Sequence, residues 1–432
     1  MYPAITVLII SSFILVPLVN IRYSIIIMIF LSIMVPLSQG FEIFSLNFNV
    51  FRLLVLAGWI RIIFDKNLTL GKMEITDKAI IYWVIVSFMV YIIQQNNINA
   101  VINRLGFAYN VIGTYFLYRI IIKRKEDISP VFNTLIFIVA IVAIFMLIEY
   151  RTGKNMLSVF GTHETSGARM GLIRAQGPFA HSIYAGMFGA TMLPLCFSMW
   201  RHKWGSAFLG IIGTLSAGLI VITSSSMTPL IASVSGFAAL LSWPLRKHMR
   251  MAQYSILFTV VVLQIIMISP LWSFIKKVAF IPGSSGWHRF LLVDNLINRF
   301  NEWFLFGFSS LEKWGVGMED KANQYYLEAV TGGFFKLALF IMIVVFSFNI
   351  IGKKIKAITD APSQKKLWAL GSALFANVVG FLGISYWDQM IFFWFLLLAL
   401  ITSACLIHGE KDITVDKVSK KFKEGQRSSL QY

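Results

Sequence analysis

Apolar runs long enough to cross a lipid bilayer recur along almost the whole chain. They lie near residues 3–19, 21–37, 48–64, 76–94, 105–122, 130–150, 178–200, 205–224, 228–244, 252–272, 324–351, 367–386 and 388–407. A hydrocarbon core about 30 Å thick is spanned by roughly 20 helical residues. Inside it every backbone polar group must be satisfied within its own segment, which leaves helices as the answer to runs of this length. The expectation is an all-α polytopic membrane protein with about 12–13 transmembrane helices. Twelve applies if the 48–64 run, which holds Arg52 and Arg61, is not a span. With 57% hydrophobic and 13% charged residues, and a mean hydropathy of +0.73, a water-soluble domain is excluded. The first run lacks a basic segment before it and a small-residue cleavage site after it, so it reads as a retained span.

Charge separates the connections into two sets. Lys66, Lys72 and Lys78, then Lys123, Arg124 and Lys125, then Arg246, Lys247 and Arg250, and finally Lys353, Lys354 and Lys356 fall in alternate loops. Short basic loops stay in the cytoplasm, so the net charge of +18 reports topology and not affinity for nucleic acid. Residues 1–408 then form one transmembrane helical domain and 409–432 a basic cytoplasmic tail, held near anionic headgroups. The opposite set holds two loops too long to be turns, about 151–177 and 273–323. The spacing in RFLLVDNLINRF predicts an amphipathic helix within the second.

Polar residues with chemical potential crowd this outward set. RAQGPFAHSIYAG starts at Arg174, with Pro178 suited to a first helical turn. Free amides and the positive helix end would make a seat for phosphate or pyrophosphate beside Arg174, although the arginine could equally reach to headgroups. SSSMTP repeats the arrangement, with Ser226 or Thr228 as N-cap, and the hydroxyls of Ser225 and Ser226 could meet sugar or phosphate oxygens. The long loop offers His288, Arg289 and Arg299. It is followed by Glu319, Asp320, Asn323, Gln324 and Tyr325, a polar helix start that needs a protein cavity to enter lipid. Lys336 within the next span calls for a carboxylate partner or for reach to the surface. His181 is the one histidine that combines depth with an outward aspect. Cys196 and Cys405 lie in apolar runs and read as core residues. The sequence contains no phosphate loop, dinucleotide fingerprint or metal motif.

The segments RAQGPF followed by a helix, SSSMTP and NQYYLEAVTGG resemble the O-antigen ligase and O-antigen polymerase family of bacterial polytopic glycosyltransferases. GISYWDQMIFFWF looks like an exopolysaccharide-polymerase subgroup, and the similarity runs from about Phe41 to Cys405. The resemblance implies a type-C glycosyltransferase-like fold and a donor glycan on undecaprenyl pyrophosphate. It also implies catalysis without a divalent metal or other cofactor, at the external face of the bacterial inner membrane. It carries the family's pyrophosphate-binding arginines onto Arg174 and Arg289, and its His-Asn pair before Y-L onto Asn323 and Gln324. There this sequence departs from the pattern, because asparagine cannot act as a general base near neutral pH. The base is then sought first at Glu319 or Asp320 and second at His181, with Asn323 orienting sugar or pyrophosphate. Gln324, Tyr325, Ser225, Ser226 and Arg299 complete the expected substrate contacts.

The expected activity is polymerisation of undecaprenyl-pyrophosphate-linked repeat units into a capsular or extracellular polysaccharide or O-antigen, with a chain-length regulator and a flippase as possible partners. Two alternatives stay open. One is a ligase that passes the glycan to a surface acceptor. The other is a lipid-linked oligosaccharide flippase or transporter, for which ionisable groups near the midplane would be expected instead.

Overall fold

The computed structural model describes residues 3–43, 46–162, 164, 167–169, 171–202, 204–277 and 286–407; the tail expected over 409–432 lies outside them. Its helices follow the apolar runs. They begin with α1 (Pro3–Leu18), α2 (Ile21–Met34), α3 (Val50–Phe64), α4 (Ile75–Gln95), α5 (Ile98–Ile121) and α6 (Lys125–Thr152). After a long connection come α7 (Ser182–His202), α8 (Ala207–Thr223), α9 (Met227–Leu241) and α10 (Met249–Ile266). Short helices α11 (Phe274–Lys277), α12 (Gly286–Asn298) and α13 (Phe300–Trp303) precede α14 (Gln324–Ala357), α15 (Ala361–Gly380) and α16 (Gln389–Ile407). The helix expected in the long loop is α12.

Five of the described helices, α4, α6, α7, α14 and α16, are long and apolar enough to cross a membrane. A sixth crossing is added if α9 and the segment after it, bent by 75°, count as one. This is a helical, polytopic membrane fold, with fewer full-length crossings than the twelve or thirteen expected. Helices α1, α2 and α3 are only 16, 14 and 15 residues long. One further departure from all-α lies in the connection after α2, where β1 (Gly40–Ile43) and β2 (Leu46–Asn49) pair antiparallel with Gly40 opposite Asn49. Alternation of apolar and polar residues in FEIFSLNFN suits a strand better than a loop.

Helix α16 is the axis of the bundle. Its apolar window is 83% buried, as befits a helix that is hydrophobic all round. Phe392 meets Phe51 of α3 and Tyr118 of α5, Phe393 meets Phe188 of α7, and Trp394 meets Phe340 of α14. Small residues let the helices around α7 approach closely: a Cβ on Gly210 of α8 would lie 2.6 Å from the Trp200 nitrogen of α7.

Connections meet at both ends of the bundle. At one end Arg119 donates to the Lys72 carbonyl and Lys123 to the Asn67 carbonyl. At the other, Ser38 bonds Gly161, Gln94 bonds the Phe306 carbonyl, and the starts of α7, α9, α14 and α16 converge.

Helix α14 is broken at Gly333, whose φ of +69° is open to glycine alone without strain. The long loop fills the break. Phe308 N–H donates to the Val330 carbonyl at 2.8 Å and Phe334 N–H to the Phe304 carbonyl at 2.8 Å. A Cβ on Gly333 would lie 2.5 Å from the Leu305 oxygen. The glycine pair is thus a fixed kink that detaches the polar start of α14 from its apolar remainder.

Candidate active site

Arg174 is positioned by a turn that the sequence does not advertise. The Glu149 carboxylate at the end of α6 accepts N–H bonds from Gln176 and Gly177, at 3.1 and 2.9 Å, and Gly177 has φ +56°. Ala175 N–H donates to the Thr223 carbonyl at the end of α8. Capture of these amides by Glu149 overturns the placement of Pro178 in a first helical turn. Pro178 sits within the turn, its carbonyl accepting from Gln389 at 2.9 Å, and α7 begins only at Ser182.

From this turn Arg174 reaches α9 and not α7. Its Nη2 donates to Ser226 Oγ at 2.9 Å, and Ser226 is the N-cap residue of α9. The Ser226 hydroxyl in turn donates to the Ser224 carbonyl, so it does not cap the helix. Ser225, at φ +45°, donates its hydroxyl to the Ile173 carbonyl and ties the two segments together. Arg174 Nε is buried without a partner.

A second turn, residues 381–386 after α15, gathers the other elements. Arg289 Nε donates to the Gly383 carbonyl at 3.2 Å, and Asn323 Nδ2 to the Leu382 carbonyl at 3.2 Å. Gln324 receives the Tyr386 N–H on its side-chain oxygen at 2.8 Å and donates its own backbone N–H to Phe381. Asn323 Oδ1 accepts from Tyr326 N–H as the cap of α14. Both ends of the Asn323 and Gln324 amides are therefore engaged within the protein. Tyr325 turns inward, with its hydroxyl on the Val378 carbonyl and its ring against Phe340 and Phe381.

Arg174, Arg289 and Arg169 lie within one another's electrostatic reach. Burial first, and then the charge of Arg169, lower the pKa of both Arg174 and Arg289, so the site favours an anion. Asp320 is the acid that opposes Arg289, with an oxygen 3.4 Å from His288 Nε2. His181 belongs to the same cluster. Burial and Arg174 push its imidazole down to about 4, against a smaller opposing pull from Asp320. Its Nδ1 accepts the Ile183 N–H at 3.1 Å, which leaves the neutral ring with a donor at Nε2.

Two expected residues stand apart. Arg299 pairs with Glu302 at 3.2 Å and with Asn295 on its own stretch of loop. Glu319 is exposed, and the charge that it opposes is that of Lys321. Sequence reading missed Arg169, Glu149 and Asp388. Arg169 lies five residues before Arg174, a spacing that offered a signal, whereas only the folded turn reveals Glu149. Asp388 was inside the quoted GISYWDQ segment; its carboxyl is raised by burial, and its φ is +51°. Among the described residues no three His, Cys, Asp or Glu side chains gather in a metal-ligating group. No family model and no curated protein matches the chain.

Proposed function

We propose that this protein is a glycosyltransferase that polymerises carrier-linked repeat units at the external face of the bacterial inner membrane, with its C-terminus in the cytoplasm. The observation that carries the reading is the convergence of Arg174 and Arg289 on one site from loops far apart in sequence, with Asp320 as the carboxylate that opposes Arg289. Two guanidinium groups beside the start of α9 match a pyrophosphate, whose oxygens can take parallel N–H bonds. A transporter would be expected to bury such charges near the midplane of its helices.

In the proposed reaction an acceptor sugar hydroxyl attacks the anomeric carbon of the donor glycan. The new glycosidic C–O bond forms as the anomeric bond to the carrier pyrophosphate breaks, and the pyrophosphate leaves with the electron pair. Arg174 and Arg289 stabilise that departing charge, and the hydroxyl proton passes to Asp320. His181, a neutral Nε2–H donor, hydrogen-bonds a pyrophosphate or sugar oxygen and does not serve as the base.

Binding of polyprenyl pyrophosphate to the protein in nanodiscs tests the donor assignment. Polyprenyl pyrophosphate should bind more tightly than polyprenyl monophosphate, and Arg289→Ala should remove the difference. Equal binding of the two lipids by the wild-type protein would count against the reading.

A further inference from the structure

Apart from the arginine site, a cavity of about 230 Å³ opens among α4, α5, the start of α14 and α16. Its walls are rich in aromatic residues, among them Trp83, Tyr91, Phe107, Trp387 and Trp394. Its charged groups are three cations, Arg104, Lys321 and Lys336, and one carboxylate, Glu328.

That carboxylate is saturated. Glu328 receives Lys336 at 3.2 Å, the Trp83 indole N–H at 3.0 Å and the Gln324 amide at 2.6 Å. Lys336 is satisfied as well, donating to Thr331 Oγ1 at 2.8 Å. Arg104 and Lys321 are left over. The Arg104 guanidinium carbon lies over the Tyr91 ring, 3.6 Å from its centre, and its one hydrogen bond to a non-aromatic group is a 3.4 Å contact with Ser87. Its Nε is buried without a partner. Neither Arg104 nor Lys321 forms an ion pair among the described residues. Burial first and Arg104 second push the Lys321 ammonium down, so the two cations repel across the cavity.

Two cations outside any ion pair, with only the exposed Glu319 and the saturated Glu328 acting on them from a distance, in a space lined by aromatic residues ask for a ligand that is flat, apolar on its faces and negatively charged at its rim. A pyranose bearing a carboxylate has this character, because its C–H faces lie on indole and its carboxylate takes a guanidinium. The cavity also adjoins a larger space. A neighbouring space of about 550 Å³ shares Asn103, Phe107, Trp387 and Ile391 with it and extends to Asp388 and Pro178.

We infer that this cavity is a subsite for an acidic sugar residue, a uronate or another carboxylate-bearing pyranose, of the glycan being joined, with Arg104 and Lys321 receiving its carboxylate. The inference rests on the proposed glycosyltransferase function and adds the substrate class.

The test uses the purified full chain in nanodiscs and free disaccharides of glucuronate and of galacturonate, each beside its carboxyl-reduced neutral counterpart, with tryptophan fluorescence as readout. At least one uronate should bind roughly tenfold or more tightly than its neutral counterpart, and Arg104→Gln or Lys321→Gln should remove that preference. Lys321→Gln, in the loop before α14, guards against misfolding of the helix variant, and melting temperatures accompany both. Equal binding of acid and neutral sugars, no binding of either, or a preference that survives both substitutions would overturn the inference. Displacement of the uronate by inorganic pyrophosphate in the Arg289→Ala background would overturn it too, by marking a second pyrophosphate site. Binding of polyprenyl pyrophosphate in the same nanodiscs, lost with Arg289→Ala and kept with Lys321→Gln, reads the proposed function separately.

Discussion

Two clusters of buried or half-buried arginine sit at opposite ends of this bundle and differ in what surrounds them. At the end that carries the basic loops, Arg119 is paired with Asp77 at 3.4 Å. The Asp77 carboxylate also accepts the Tyr115 hydroxyl at 2.5 Å and the Glu74 N–H at 2.7 Å, and Tyr115 reaches Thr402 at 3.1 Å. Asp77, Arg119 and Tyr115 are each partnered within the chain, and the group ties α4, α5 and α16 together. At the other end Arg174 has one serine hydroxyl and Arg289 one carbonyl, and Asp320 opposes Arg289 while Arg169 adds a further positive charge nearby. The same side chain is a strut where its charge is balanced and an open receptor where it is not.

Breaking the balanced cluster should have the largest effect. Asp77→Ala leaves Arg119 buried without its counter-charge and should cost about 3–5 kcal/mol of stability, read as a large fall in melting temperature in detergent. Arg289→Ala removes charge from the open cluster. It should leave the melting temperature close to wild type while lowering polymer formation roughly 10²–10³-fold, the usual effect of deleting one donor that stabilises a leaving charge. If Arg289→Ala unfolds the protein as Asp77→Ala does, the two clusters are alike and the contrast fails.

The kink that delivers the start of α14 to the open cluster is the next lever. Gly333→Ala places a Cβ against the Leu305 carbonyl at positive φ and should cost about 1–3 kcal/mol in thermal denaturation. His181 gives a pH signature. Its folded-state pKa of about 4 lies below the ordinary 6.5, so folding releases its proton. The stability it contributes is complete above pH 6.5 and is lost as pH falls toward about 4. Melting temperatures across that window should decline more steeply for wild type than for His181→Gln. The smallest effect is expected at Arg299, half-exposed and paired only with its near neighbours; Arg299→Ala should change stability by less than about 0.5 kcal/mol and leave polymer formation intact.

Much of this architecture is legible in the residues because lipid imposes a strong and local rule. Each of the thirteen apolar runs contains a helix. Length was harder to judge: α1, α2 and α3 stop short of a full crossing because Asn20, Pro36 and Asp65 interrupt their runs. The site was half legible. Arg174, Ser226, Arg289, Asp320 and His181 lie near one another, Arg174, Ser226 and His181 having been flagged beside expected helix starts, and Arg289 and Asp320 in the long loop and the polar stretch that follows it. Glu149 and the 381–386 turn were invisible, since their role is to bind backbone groups far away in sequence, which leaves no spacing to read. For the same reason Asn323 and Gln324 looked free as residues and are engaged as parts of the fold.

The most direct measurement is the repeat-unit ladder in proteoliposomes supplied with carrier-linked units, comparing wild type, Arg174→Ala, Arg289→Ala and Arg299→Ala at matched protein levels. The account predicts that the ladder persists with Arg299→Ala and vanishes with either of the other two, with single carrier-linked units accumulating at the outer face. A ladder that survives the loss of both Arg174 and Arg289, or single units trapped at the inner face, would contradict it.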